Sequence, residues 1–160
     1  MIEAEELSIW AARAALKSCN ENISVLDVSS VEKRLQSGDT FGDALASLGD
    51  FQRRKGDFGA EIVGTLLVPL LLEALRDFWS AYVKKLSEDA GQEAAKFTVD
   101  NLKSLFRARL RQPERENLLT EIDDSLNKTA ARSKVDDSDL NKAKDLVRSV
   151  EFVDELDRIG

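Results

Sequence analysis

Histidine is absent from the 160-residue chain, and cysteine occurs once. Without histidine the sequence loses the commonest general base, the commonest metal ligand and the ordinary pH switch. No Ser–His or Cys–His nucleophile pair can form. Zinc sites built on histidine or on several cysteines are excluded, and so is a di-iron bundle, which needs Glu-x-x-His pairs. A lone Cys19 forbids an intrachain disulfide and points to the cytoplasm. Its neighbours Asn20 and Glu21 do not make the electropositive setting of a reactive thiol, so Cys19 is expected as a small buried apolar residue. Two prolines and eight glycines leave few turns, and aromatics make up only 6%.

Long apolar runs are also missing. The longest uncharged stretch around the most hydrophobic part of the chain is Ile62 to Leu72, IVGTLLVPLLL. That is well short of the roughly 20 residues that span a bilayer, and suits a buried helix or a re-entrant segment. No phosphate loop, dinucleotide fingerprint or nucleophile elbow is present. The start, MIEAEELSIWAARAAL, is acidic where a signal peptide is basic. No cofactor is called for, and the reading is of a protein that is not an enzyme.

What is present is helix-forming sequence. Ala, Leu, Glu, Lys, Arg and Asp dominate, which favours an all-α protein. The length suits one domain over residues 1–160 and is enough to bury a core without staples. We read a single helical bundle of five to seven helices around a kinked hydrophobic helix at 58–87. It divides into N-terminal helices over 1–57, a core hairpin over 58–112 and a C-terminal helical hairpin over 113–160.

The central stretch is FGAEIVGTLLVPLLLEALRDFWSAYVKKL. Val63, Leu67, Leu71, Ala74, Phe78, Tyr82 and Leu86 recur at spacings of three and four. The first half should be covered all round and the second half on one face. Asp57 is the expected N-cap. Pro69 costs a hydrogen bond to the carbonyl of Thr65 and kinks the helix there; Val68 is a poor cap for a fresh start. Gly91 is the expected terminator, and 92–111 should fold back antiparallel on the central helix.

Around this centre, residues 2–18 read as a helix with an acidic first turn and many alanines that allow close approach. Asn20 to Val28 reads as a connector, extended at Ile23–Val28. Ser29-Ser30-Val31-Glu32 matches a capping box for a short helix ended by Gly38. Asp39 or Thr40 caps another, Phe41–Leu48, ended by Gly49, and FQRRKGD reads as a loop. From Pro113 a helix carries Leu119, Ile122, Leu126 and Ala130 inward. Asp137 or Ser138 caps a final helix whose stripe is Leu140, Ala143, Val147, Val150, Val153 and Leu156.

Charge is uneven. Residues 58–112 carry 8 basic and 7 acidic side chains, whereas residues 113–160 carry 8 and 13. An acidic chain, net −7, argues against duplex nucleic acid as a partner. Asp137-Ser-Asp139-Leu-Asn141 begins like a calcium loop, then fails with Lys142 and Arg148 where glycine and glutamate are required. Lys96, Lys103, Arg107 and Arg111 form a helical stripe that reads first as a solvated face, since Glu93 and Asp100 share it; the functional alternative is a site for phosphate, anionic lipid or an acidic partner. Phe78, Trp79 and Tyr82 crowd one turn and read as core packing with Trp79 at the edge; the functional alternative is that Trp79 or Tyr82 anchors a partner or a membrane interface. The seam of the C-terminal pair is narrow. Left partly open, it would expose Ile122, Leu126, Val150 and Val153 as a docking edge. This part should pack less deeply than 58–110.

GAEIVGTLLVPLLLEALRDFWSAYVKKL, followed by AAKFTVDNLKSLF, resembles the helical N-terminal modules joined to NACHT-type signalling ATPases of bacteria. It is also similar to helical bundles that act as cell-death or immune effectors. The resemblance covers residues 58–107 and carries no site residue over. It implies a helical adaptor or effector acting through partner or membrane contact. The expectation is therefore a non-enzymatic protein–protein interaction module, able to self-associate as an oligomer. The alternative is a membrane-active helical protein, pore-forming or membrane-binding, that uses 58–86.

Overall fold

The structure is a computed structural model that describes residues 4–19, 22–56, 63–90, 104, 107 and 115–158. It is all-helical, with seven bounded helices packed on one another and no strand among the described residues. They are α1 (Ala4–Ser18), α2 (Asn22–Gln36), α3 (Phe41–Gly56), α4 (Val63–Ala90), α5 (Arg115–Ser133), α6 (Asp137–Arg148) and α7 (Val150–Arg158). Asp57, the helix start at Phe58, Gly91 and nearly all of 92–111 lie outside the described residues, so the expected fold-back on α4 does too.

The centre is a pair of helices rather than one. α4 packs against α1, α2, α3, α5 and α6, and α1 packs against α2, α4, α6 and α7. Leu7, Ala11, Ala12, Ala14, Ala15 and Leu16 of α1 are fully buried. Short alanine side chains let neighbouring backbones approach from several sides, which is how a helix of modest hydropathy sits in the middle. Trp10 is buried beside them. Ser8 is buried with them, its hydroxyl donating to the Glu5 carbonyl at 2.8 Å.

In α4 the apolar half is covered all round: Leu67, Val68, Leu70, Leu71 and Leu72 are buried. Beyond Glu73 only one face is, with Ser80, Ala81, Lys84 and Lys85 exposed. Pro69 lies inside this one helix, so no second helix starts there.

Three boundaries differ from the sequence reading. α2 begins at Asn22, so the connector over 22–28 is helical and Ser29–Glu32 sits inside the helix. Ser24, Val28 and Val31 are buried, and Val25 and Leu35 are partly so. That helical stripe, pressed on α1, overrides the β-propensity of Ile23, Val25 and Val28. α3 runs past Gly49 to Gly56, so FQRRKG is helical. A glycine stops a helix by turning left-handed, and Gly38 alone among the described glycines has a positive φ. Finally, the last helix is two. Ser149 is extended; its hydroxyl accepts from the Phe152 N–H at 3.1 Å and donates to the Leu146 carbonyl at 2.9 Å. The break puts Leu146 and Val147 inward before it, and Phe152, Val153 and Leu156 inward after it.

The caps are specific. Thr40 Oγ1 accepts from the Asp43 N–H at 3.1 Å. Asp136, rather than Asp137 or Ser138, caps α6 by accepting from the Asp139 N–H at 3.1 Å. α2 ends in a six-to-one bond, Asp39 N–H to the Arg34 carbonyl at 3.0 Å, around Gly38 at φ 99°. α5 ends the same way around Lys134 at φ 56°, with Val135 N–H donating to the Ala130 carbonyl at 3.0 Å.

Candidate functional site

The residues singled out from the sequence do not converge. Trp79 is 1% exposed and Tyr82 is buried beside it, their rings 5.7 Å apart, with Phe78 stacked on Tyr82 at 5.3 Å. All three aromatics of that turn point inward because α4 is enclosed by neighbours on this side too, so neither Trp79 nor Tyr82 is a surface anchor. Ile122 and Leu126 are fully buried on α5, and Val153 is buried on α7. Only Val150 is exposed, at 65%, since the break at Ser149 turns it off the stripe. The seam expected to be open is therefore closed, and described residues of 115–158 reach the core as deeply as those of α4 do. Lys103 and Arg111 lie outside the described residues; Arg107 is helical and half-buried. Cys19 is half-buried, its Sγ donating to the Leu16 carbonyl at 3.4 Å.

Two concavities are lined entirely by described residues. The smaller, about 360 Å³, lies between α4 and α5. Four of its charges pair across the two helices: Lys85 with Glu121 at 3.0 Å, and Arg132 with Asp77 at 2.9 Å. Asp77's hydrogen bond and charge hold the Arg132 guanidinium above its ordinary pKa. Ser125 adds a hydroxyl bond to the Ala74 carbonyl at 2.9 Å. These groups fasten two helices together.

The larger, about 770 Å³, lies where α1, α2 and the start of α3 meet. α1 contributes Glu5, Glu6 and Ile9; α2 contributes Glu32, Leu35 and Gln36; the turn at Gly38 then brings in Asp39, Thr40 and Phe41. Each helix presents residues one turn apart, so polar and apolar groups alternate along the groove. Ile9 and Phe41 are buried and Leu35 half-buried, which makes an apolar floor. Glu6, Gln36 and Asp39 are exposed and Glu5 and Glu32 half-buried, which makes a carboxylate rim. No basic side chain lines it among the described residues.

The walls are fixed from outside the groove. Arg13 holds Glu32 at 3.2 Å, and Arg34 holds Asp39 at 3.0 Å. The guanidinium of Arg76 lies 4.4 Å from the centre of the Phe41 ring, tying the floor to α4. Sequence reasoning missed this groove because each carboxylate had a local explanation: helix-end charge for Glu5 and Glu6, a capping box for Glu32, a cap for Asp39. The signal that could have found it is the acid excess of residues 1–57, which carry 10 acidic and 7 basic side chains.

The calcium-like stretch resolves into a helix start. Asp139 is buried, and burial first, then the nearby Asp136 carboxylate, push its pKa up. Among the described residues no cluster of carboxylates, cysteines or histidines could hold a metal ion, and no helix is long and apolar enough to cross a membrane. No family model, no curated protein and no solved structure matches the chain.

Proposed function

We propose that the chain is a non-enzymatic helical protein–protein interaction module, an adaptor or effector of the kind implied by the resemblance of residues 58–107, which docks a protein partner in the groove between α1, α2 and α3. One observation carries the reading. Apart from Val150, the large apolar side chains described on α1, α4, α5 and α7 are spent on the protein's own core, whereas the α1/α2/α3 groove presents an apolar floor under a charged rim. Concave, partly apolar surfaces with a few placed polar groups are where partners and ligands dock. The membrane-active alternative needs Leu67, Leu70, Leu71 and Leu72 to leave a site in which they are already buried.

A photo-crosslinking residue at the exposed groove position Gln36, compared in the native host with one at the exposed α6 position Asn141, tests the reading. The expected result is a discrete protein adduct from position 36 that is missing from position 141. Equal adducts from both positions, or none from 36, would discard the groove as the contact surface.

A further inference from the structure

Building on that docking reading, we infer that the partner segment is a cationic amphipathic helix, with lysines or arginines flanking one or two aliphatic side chains. The groove dictates this by complementarity. Its rim carries four carboxylates, Glu5, Glu6, Glu32 and Asp39, with no basic side chain among the described lining residues. Its floor, Ile9, Leu35 and Phe41, accepts apolar groups. An amphipathic helix offers both on neighbouring turns. An acidic segment would bring apolar groups in but set like charges against the carboxylate rim, and like charges across an interface are strongly disfavoured. Arg13 and Arg34 grip Glu32 and Asp39 from outside, so two rim carboxylates are oriented before any partner arrives.

Three synthetic helices of about 14 residues, sharing one leucine face and carrying lysine, glutamine or glutamate on the other, provide the probes. Binding to the whole protein is read by fluorescence anisotropy, and its location by backbone amide shifts. The lysine peptide is expected to bind, to shift Glu32–Phe41 and the first turns of α1, and to weaken as salt is raised. Glu5→Gln with Glu6→Gln is expected to weaken it about tenfold or more. Asp124→Asn with Asp145→Asn, which removes equal charge from α5 and α6, is expected to change it by less than about twofold. Should the Glu5/Glu6 pair unfold the protein by circular dichroism, Gln36→Lys puts a cation on the exposed rim and is expected to give the same loss. If the glutamine peptide binds the groove as tightly as the lysine peptide, the docking reading stands and the cationic partner is wrong. If both charge pairs weaken binding equally, attraction is diffuse and the cationic partner is again wrong. If no peptide shifts groove amides, both readings fall. If groove amides shift instead with protein concentration, the occupant is a second copy and the cationic helix is rejected.

Discussion

Arg76 and Phe41 are 35 positions apart in sequence, yet the guanidinium of one lies 4.4 Å from the ring centre of the other. The pair joins the middle of α4 to the first residue of α3, so the groove floor is anchored to the core. A half-buried cation over an aromatic face contributes about 0.5–1 kcal/mol. Arg76→Met, which keeps the aliphatic stem, is expected to lower unfolding free energy by that amount in urea titration. Phe41→Leu should cost less in the Arg76→Met background than alone. A double-mutant cycle giving no coupling would show that the contact contributes nothing.

The C-terminal helices are core, not appendage. Phe152 on α7 is fully buried, and α7 packs on α1. Phe152→Ala is expected to destabilise by about 3–5 kcal/mol, as large aromatic truncations do. Guanidinium unfolding measures it. A loss below about 1 kcal/mol would mean that α7 is peripheral.

Two helix ends use one geometry with different residues. Gly38 takes its left-handed conformation at no steric cost, whereas Lys134 pays roughly 1 kcal/mol for the same turn. Lys134→Gly is therefore expected to raise stability by up to about 1 kcal/mol. Gly38→Ala is expected to lower it by a similar amount, through strain alone, since open space surrounds the position where its Cβ would stand. Thermal melts of the two variants should move in opposite directions.

Asp139 sets a pH dependence. Its pKa in the folded protein is raised above the ordinary carboxylate value of 3.8, by burial first and then by Asp136, with Lys142 opposing. The folded state thus holds the proton more tightly than the unfolded chain. Below the ordinary value both states are protonated and the group is neutral to stability. As pH rises through the window above 3.8 the folded protein loses stability, and above the raised value the penalty is complete. Asp139→Asn removes the charge and can donate an amide hydrogen to Asp136. Its stability relative to the parent is expected to grow from pH 4 to pH 7. A constant difference across that range would show that Asp139 titrates normally.

Much of the fold was legible because period and cap chemistry are local. The stripe Leu119, Ile122, Leu126 and Ala130 is buried as its spacing requires, and Gly38 and Thr40 do what their residue types suggest. The misreadings arose where a neighbour outvoted a local signal. Val25 and Val28 are helical because α1 lies against them. Gly49 stays in the helix because nothing turns it left-handed. Ser149 was readable as a cap, with Glu151 in the first turn of α7, but the apolar period running through Leu146 to Val153 masked the stop. Burial of Tyr82 was legible from the stripe it shares with Ala74 and Phe78; that Trp79 is as deep was not, because its place at the edge of the stripe left its exposure open. The groove was illegible for a related reason: its carboxylates come from two helices and a turn, and only folding makes them one surface.

The position of α1 bears on how the protein is made. α1 is synthesised before the other described helices, and one of the four helices that cover it, α7, is synthesised last among them. On the ribosome its leucines and alanines are made long before residues 150–158 can reach them. Contacts this distant in sequence close slowly, because the loop entropy is lost before they repay it. A nascent chain stalled ahead of Val150 therefore leaves the α7-facing side of α1 uncovered, an exposed apolar surface of the kind that chaperones bind.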